Sequence, residues 1–230
     1  MLKPLGVDGG FGVLAGLSLL TAAAGLLVPD AYWPLTDHDQ GPGGLPSPRG
    51  WVALAAALCF QAFILAFWIY VEPLSRQSGH AQGVAGAAIS LSLAAQVAGG
   101  SAATALAGRV SWFKALAGAI TLMIAALFVF GMRPAAPLFL ACSGAFGFLW
   151  IFASPYLTPL AIEADPTRRA AMLGPGAGLL GCAAGPFLAS LLVSDSDVRG
   201  SVWLGVGLAL VTLALIIGLH LTRPRAVLTS

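Results

Sequence analysis

Gln61, Leu65, Trp68 and Glu72 follow one another at spacings of four, three and four residues. A continuous helix sets them on one face. An amide, an indole and a carboxylate along such a stripe can line a polar cavity, hold a solute by hydrogen bonds, or carry a proton. A plainer role is open to the ends of the stripe: Glu72 can cap the exit of a membrane helix, with Trp68 and Tyr70 in the interfacial aromatic belt. Gln96, flanked by Ser92, Gly99 and Gly100, either faces the same cavity or bonds across a seam of small residues. Further along, Ser143, Gly147, Trp150 and Ser154 share a helix face, with Phe148, Phe152 and Tyr156 alongside. Trp150 falls too deep for an interfacial belt, so it is either a cavity wall or core. The candidates for a substrate pathway are therefore Gln61, Trp68, Glu72, Gln96, Trp150 and Tyr156.

Other chemistries are disfavoured by what the chain places in its apolar runs. Cys59, Cys142 and Cys182 all lie inside such runs, without the spacing of a metal site or a disulfide framework. The lysines, Lys3 and Lys114, both stand away from mid-span, so no buried Schiff base is available. No His, Asp or Cys cluster shares a span with a nucleophile, which argues against an intramembrane enzyme. His220, at the end of the last run, reads as an interfacial residue rather than a proton relay. Neither a cofactor nor a metal is expected, and a net charge of +2 is too small to point to nucleic acid.

These residues need membrane helices to position them. The chain is 58% hydrophobic and 9% charged, with a mean hydropathy of +0.90, whereas soluble domains carry about 25% charged residues. Pro134–Ile162 and Ala170–Ser194 contain no Asp, Glu, Lys or Arg, and each exceeds the roughly 20 residues that cross a bilayer core. The pattern predicts an all-α membrane protein with about seven spans: Phe11–Val28, Trp51–Val71, Val84–Ala107, a short Ala115–Met132, Leu138–Ile162, Ala170–Val193 and Ser201–Leu221. Residues 1–28 form a lone first helix, 29–50 a flexible connector rich in proline and glycine, and 51–230 a six-helix bundle. The first run reads alternatively as a signal-peptide core with Lys3 as leader and Ala22-Ala23-Ala24 as cleavage site.

Between the fifth and sixth spans, Glu163, Asp165, Arg168 and Arg169 make a short charged loop. If the loops after spans one, three and five face the cytoplasm with the C-terminal tail, that side holds Arg49, Arg109, Lys114, Arg168, Arg169, Arg223 and Arg225. The other side holds Lys3, Arg76, Arg133 and Arg199. The bias predicts a cytoplasmic C-terminus in a plasma or inner membrane. Pro155 and Pro159 should kink the fifth span. Gly174, Gly178, Gly181 and Gly185 recur along one face of the sixth, smooth enough for another helix backbone to lie against it.

The bundle also carries a hint of internal repetition. Trp68-Ile69-Tyr70-Val71-Glu72-Pro73 matches Trp150-Ile151-Phe152-Ala153-Ser154-Pro155, 82 positions later and three spans on. Three spans on means opposite orientation, the relation of a 3+3 inverted repeat.

Four stretches resemble the major facilitator superfamily of transporters. Leu5-Gly6-Val7-Asp8-Gly9-Gly10-Phe11, with a helix ending at Val28-Pro29, looks like the family's sixth helix. Phe67-Trp68-Ile69-Tyr70-Val71-Glu72 through Gly79 looks like its seventh helix and outer loop. Ala107-Gly108-Arg109-Val110-Ser111-Trp112-Phe113-Lys114 sits where the family carries a cytoplasmic D-R-x-G-R-like loop, of which only Arg109 is kept. Asp165-Pro166-Thr167-Arg168-Arg169 through Gly185-Pro186 is similar to the passage from the tenth to the eleventh helix. The resemblance implies the C-terminal half of such a transporter, preceded by the family's sixth helix and lacking the other five helices of the first half. It further implies secondary transport of a small solute, with the proton as candidate coupling ion. The lipid bilayer and a second bundle, from a second copy or a separate N-terminal half, would be the remaining partners. The competing expectation is a membrane scaffold, or a non-transporting fragment that keeps the half-fold.

Overall fold

The computed structural model describes residues 44–223 and, before them, Gly12, Ala15, Gly16, Leu19, Leu20 and Ala23, all helical and exposed. Most of the expected first span and the connector up to Gly43 lie outside the described residues. Met1–Pro42 and Gly43–Ser230 are separate compact units. In the second, helices α1 (Pro48–Trp68), α2 (Val71–Gln77), α3 (Val84–Ala105), α4 (Trp112–Gly131), α5 (Ala136–Ala153), α6 (Leu157–Ala164), α7 (Arg169–Ser190) and α8 (Arg199–Leu221) follow in order, a 3₁₀ turn at Ser154–Tyr156 joining α5 to α6. No strand occurs among the described residues. Among the described residues, six segments are long and apolar enough to cross a membrane: α1, α3, α4, α5 with α6, α7 and α8. The chain has the make-up of a multi-pass membrane protein.

Local chemistry sets the boundaries, and several differ from the sequence expectation. The bundle begins at Pro48 rather than Trp51, because Ser47 caps α1 by accepting from the Gly50 N–H at 3.1 Å and Pro48 stands at a first-turn position, where its missing N–H costs nothing. Ser111 caps α4 in the same way, so this span starts at Trp112 and is not short. The largest correction concerns the stripe through Glu72. The helix stops at Trp68; Pro73 has no N–H to give the Ile69 carbonyl, and the chain turns at Ile69–Tyr70 before α2 begins. Glu72 therefore sits on a separate short helix, not on the face of Gln61 and Trp68. The fifth span breaks likewise at Ser154–Tyr156, where Pro155 cannot bond the Ile151 carbonyl.

Both breaks lie within the matching motifs but out of register: the turn at Ile69–Tyr70 corresponds to Ile151–Phe152, which is still helical, and the second span breaks only at Ser154–Tyr156. Pro73 and Pro155, like Trp68 and Trp150, stand 82 positions apart. Helix packing follows the same pairing. α1 lies along α7, with Leu58 meeting Gly181 and Ala62 meeting Gly185, and α3 lies along α5, with Leu91 meeting Gly144 and Ser92 meeting Gly147. Position numbers rise together in both pairs, so each pair runs parallel. α8 packs against α1 and α4, and α4 against α5. α3 and α7 are the least buried of the six spans.

The centre is aromatic. Phe60, Phe63, Phe67, Phe130, Phe139 and Phe146 are fully buried, with Phe67 4.7 Å from Phe130 and 4.9 Å from Phe146 between ring centroids. Lipid tails are as apolar as these rings, so the gain here comes from dense contact rather than from escape from water.

Candidate functional site

The candidate site forms where α1 and α5 meet beside α7. Trp150 Nε1 donates to Gln61 Oε1 at 3.3 Å, and the rings of Trp68 and Trp150 meet edge to face, centroids 6.3 Å apart. All three side chains are half-buried. Gly178 lies against the Gln61 side chain, its nearest neighbour at 3.6 Å from where a Cβ would stand, and at Gly174 nothing comes within 4 Å. The glycine face of α7 thus serves two purposes. Gly181 and Gly185 let the backbones of α7 and α1 touch, since a Cβ at either would overlap a carbonyl of Leu58 or Ala62. Gly178 lets α7 lie against the Gln61 side chain, and Gly174, one turn earlier, faces open space.

The other expected residues are distributed around this centre. Gln96, half-buried, is on α3 between Ser92, which meets Gly147, and Gly100, which meets Ile151; this sets it at the level of Trp150. The Gln96 Nε2 and the Ser92 Oγ are buried without a hydrogen-bond partner. Tyr156, in the 3₁₀ turn, is 6% exposed, carries a hydroxyl without a partner, and follows Phe152 at 5.5 Å between ring centroids; Phe152 in turn stacks on Phe148 at 5.9 Å. Glu72 stands apart, exposed on α2 and paired with Arg76. Among the described residues, no group of His, Cys, Asp or Glu is arranged to hold a metal ion.

Two polar clusters close the ends of the bundle. At one end Ser47 donates its hydroxyl to the Ala164 carbonyl at 3.1 Å, and Arg49 donates to Thr222 Oγ1 at 2.6 Å and to the Leu219 carbonyl at 2.9 Å. Trp112 Nε1 donates to Glu163 Oε2 at 2.6 Å; Arg223 pairs with the same carboxylate at 2.6 Å and lies over the Trp112 ring, 4.8 Å from its centroid. His220 stacks on Phe113 at 3.7 Å. Asp165 is fully buried and accepts from the Ala170 N–H at 3.0 Å, the Thr167 hydroxyl at 2.9 Å and N–H at 3.4 Å, and the Ser47 N–H at 3.5 Å. Burial pushes its pKa up, but these four hydrogen bonds to the charged form outweigh burial and the net shift is downward. In the loop cluster singled out from sequence, Arg168 takes a left-handed conformation, φ 59, at the cap of α7, and Arg169 lies against Gly44. Arg109 and Lys114 are exposed.

At the opposite end, Gln77 on α2 accepts from the Val198 N–H at 2.9 Å, and His80 meets the Pro134 carbonyl at 2.8 Å. The Arg199 side chain and N–H hold the Asp197 carboxyl down at about 2. The sequence reading assigned no role to Ser47 and did not anticipate the contacts of Arg49 or the joining of Glu163, Trp112 and Arg223. Ser47-Pro48 is a readable helix-start signal, whereas nothing local announces contacts between residues so far apart in the chain.

No profile of a known protein family, no curated protein and no solved structure matches the chain.

Proposed function

We propose that residues 48–223 form one bundle of a secondary transporter of the major facilitator type, built as a 3+3 inverted repeat, with the Gln61–Trp68–Trp150 cluster as one wall of the solute path. The observation that carries this reading is the pair of broken spans. Both spans break within the matching motifs, α1 ending at Trp68 and α5 at Ala153, three residues past Trp150, and the two tryptophans touch each other. Discontinuous helices in corresponding positions of two half-repeats are the usual pointer to a transport site. The parallel pairs α1–α7 and α3–α5 exchange under the same relation, and so do the closely packed Gly99 and Gly181, again 82 positions apart.

The wall supplies aromatic surface and amide donors, which suits binding a small solute. Alternating access needs a second bundle to close over it, contributed by a longer chain, a separate chain or a second copy. The test is counterflow of a panel of labelled small solutes in liposomes, at dense loading and at about one copy per vesicle, beside empty liposomes. Flux at dense loading that vanishes at single copy is expected. Flux already present in single-copy vesicles overturns the need for a second bundle. No flux of any solute at either loading favours a scaffold role.

The orientation that goes with this reading puts the Ser47–Asp165–Thr222 end in the cytoplasm. Among the described residues that end carries Arg49, Arg109, Lys114, Arg168, Arg169 and Arg223, against Arg76, Arg133 and Arg199 at the other; short loops rich in Lys and Arg stay inside. Reporter fusions after Arg223 and within residues 194–198 should report opposite sides, and the same side at both defeats the topology.

A further inference from the structure

We infer that the solute held at the Gln61–Trp150 wall is an uncharged aromatic molecule whose edge carries hydrogen-bond acceptors. The inference rests on the transport reading only in taking this wall as the place where a solute binds.

The hydrogen-bonding balance comes first. An indole N–H can only donate, so the bond from Trp150 fixes Gln61 with Oε1 towards the ring and leaves its NH₂ as two donors. Gln96, at the same level, has its Nε2 buried without a partner. The Tyr156 hydroxyl, in a residue only 6% exposed, has none either. Buried polar atoms without partners, as at Gln96 and Tyr156, are costly, and the amide nitrogens of Gln96 and Gln61 can only donate. A carbonyl, a ring nitrogen or an ether oxygen satisfies them; a donor-only group does not.

The rings argue for a flat, apolar body. Trp68 and Trp150 stand edge to face, both half-buried, and such rings accept a further aromatic at their free faces and edges. Gly178 of α7 borders the Gln61 side chain, and Gly174 on the same face meets nothing within 4 Å.

Charge is excluded by what surrounds the site. Within the six described spans, Arg49, Lys114, Glu163, Arg169 and Arg199 all fall within three residues of a helix end, and Glu72 and Arg76 neutralise each other on exposed α2. An ion at the depth of Trp150 would be desolvated without a counter-charge. Indole faces do attract cations, but the leftover amide donors of Gln61 and Gln96 present positive ends and oppose one. The same absence leaves this bundle without an intramembrane carboxylate among its described residues, so a coupling proton would have to be carried elsewhere.

The full chain in lipid nanodiscs, with empty nanodiscs subtracted, is tested by equilibrium dialysis against four probes. They are methoxycoumarin (uncharged, with an acceptor edge), its carboxylate analogue, its trimethylammonium analogue, and naphthalene, which has rings and no acceptors. Methoxycoumarin should bind at least about tenfold more tightly than the other three, the scale of one satisfied buried hydrogen bond or one desolvated charge. Gln61→Leu should lose about that factor, and Gln61→Glu should turn the preference towards the trimethylammonium probe, a change that a merely structural Gln61 would not produce. Both variants are compared at wild-type helix content and elution volume.

Equal or tighter binding of the carboxylate, trimethylammonium or naphthalene probe by the wild type overturns the inference. So does failure of methoxycoumarin to bind, or an affinity unchanged by both variants. Vesicle flux of methoxycoumarin separates the two readings. Selective binding without flux keeps the solute class and rejects transport, whereas flux of the carboxylate in preference keeps transport and rejects the solute class.

Discussion

Trp68 and Trp150 occupy the same position in two matching motifs 82 residues apart, and their rings meet with centroids 6.3 Å apart. Residues related by a two-fold axis can touch each other only if they lie close to that axis. On the proposed repeat, the axis therefore passes between α1 and α5 at the candidate site, where α1 ends at Trp68 and α5 three residues past Trp150. A site on the axis draws similar groups from each half: here two indoles, with Gln61 on one side and Ser143 at the matching position on the other. Ser143 is fully buried and donates its hydroxyl back to the Phe139 carbonyl at 2.8 Å. On the proposed repeat, the amide of Gln61 is what departs from the symmetry, and it accepts the hydrogen bond from Trp150.

The α7 glycines should differ sharply in their tolerance of a single methyl group. Gly181→Ala and Gly185→Ala place a Cβ into the carbonyls of Leu58 and Ala62, while Gly174→Ala meets nothing within 4 Å. Backbone cannot yield as a side-chain tip can, so the first two should cost about 1–3 kcal/mol. The third should stay within about 0.5 kcal/mol. Thermal unfolding in detergent, read as the loss of a monodisperse elution peak, ranks them. Equal midpoints for Gly174→Ala and Gly181→Ala would mean that α1 and α7 are not in contact there.

Asp165 gives the stability a defined acid limb. Its folded pKa is depressed below the ordinary carboxyl value, so its contribution is present in full above the unfolded pKa. The contribution is lost as pH falls through the folded value. Asp165→Asn should therefore cost about 1–3 kcal/mol near neutrality, because an NH₂ then faces the Ala170 or Ser47 N–H. The gap between the two proteins should narrow below about pH 4, where the carboxyl of the unfolded wild-type chain begins to take up its proton before the folded one does. Denaturation midpoints measured at neutral pH and at about pH 3 check this; a gap that widens on acidification would show that the carboxylate is not the stabilising form.

Legibility in the sequence follows the range of the interactions. The six described spans are runs of apolar residues bounded by charges, turns or caps, all local features, and their extents differ from expectation by only a few residues. The contact of Gly181 and Gly185 with α1 follows from small residues at helical spacing. What spacing could not give is that Gly174, on the same face, meets nothing, because that depends on how α7 runs past α1 around Pro175. The break at Ile69–Tyr70 was legible in principle, since Pro73 removes a helix hydrogen bond just as Pro155 does. The ties from Ser47 to Asp165 and from Trp112 to Glu163 join distant parts of the chain, and no periodicity carries that information. For the site, the types of its residues were legible and their pairing was not. Gln61 and Trp150 come from spans whose faces could each be read, but which face meets which is decided by packing.

The solute wall itself is open to direct test by thiol chemistry. In a background with Cys59, Cys142 and Cys182 replaced, single cysteines at Gln61, Trp68, Gln96 and Trp150, all half-buried, should react with a membrane-impermeant, water-soluble reagent if they face an aqueous path. A cysteine at Tyr156, which is 6% exposed, should react more slowly than these four. Two controls set the limits. Leu179 and Leu210 are 72% and 50% exposed but lie on long apolar spans, where exposure means contact with lipid; cysteines there should stay unmodified, because the thiolate that reacts does not form in hydrocarbon. Phe63, fully buried in the aromatic core, gives the packed baseline. Position rather than exposure alone then decides the outcome. Residues 61, 96 and 150 belong to three different helices, so reaction at all three means that water reaches three helices at this level. Reaction at these positions with protection at Leu179, Leu210 and Phe63 is the expected pattern. If all the wall positions are as inert as Phe63, the two tryptophans and Gln61 are packing residues, and the path for a solute must be sought elsewhere in the bundle.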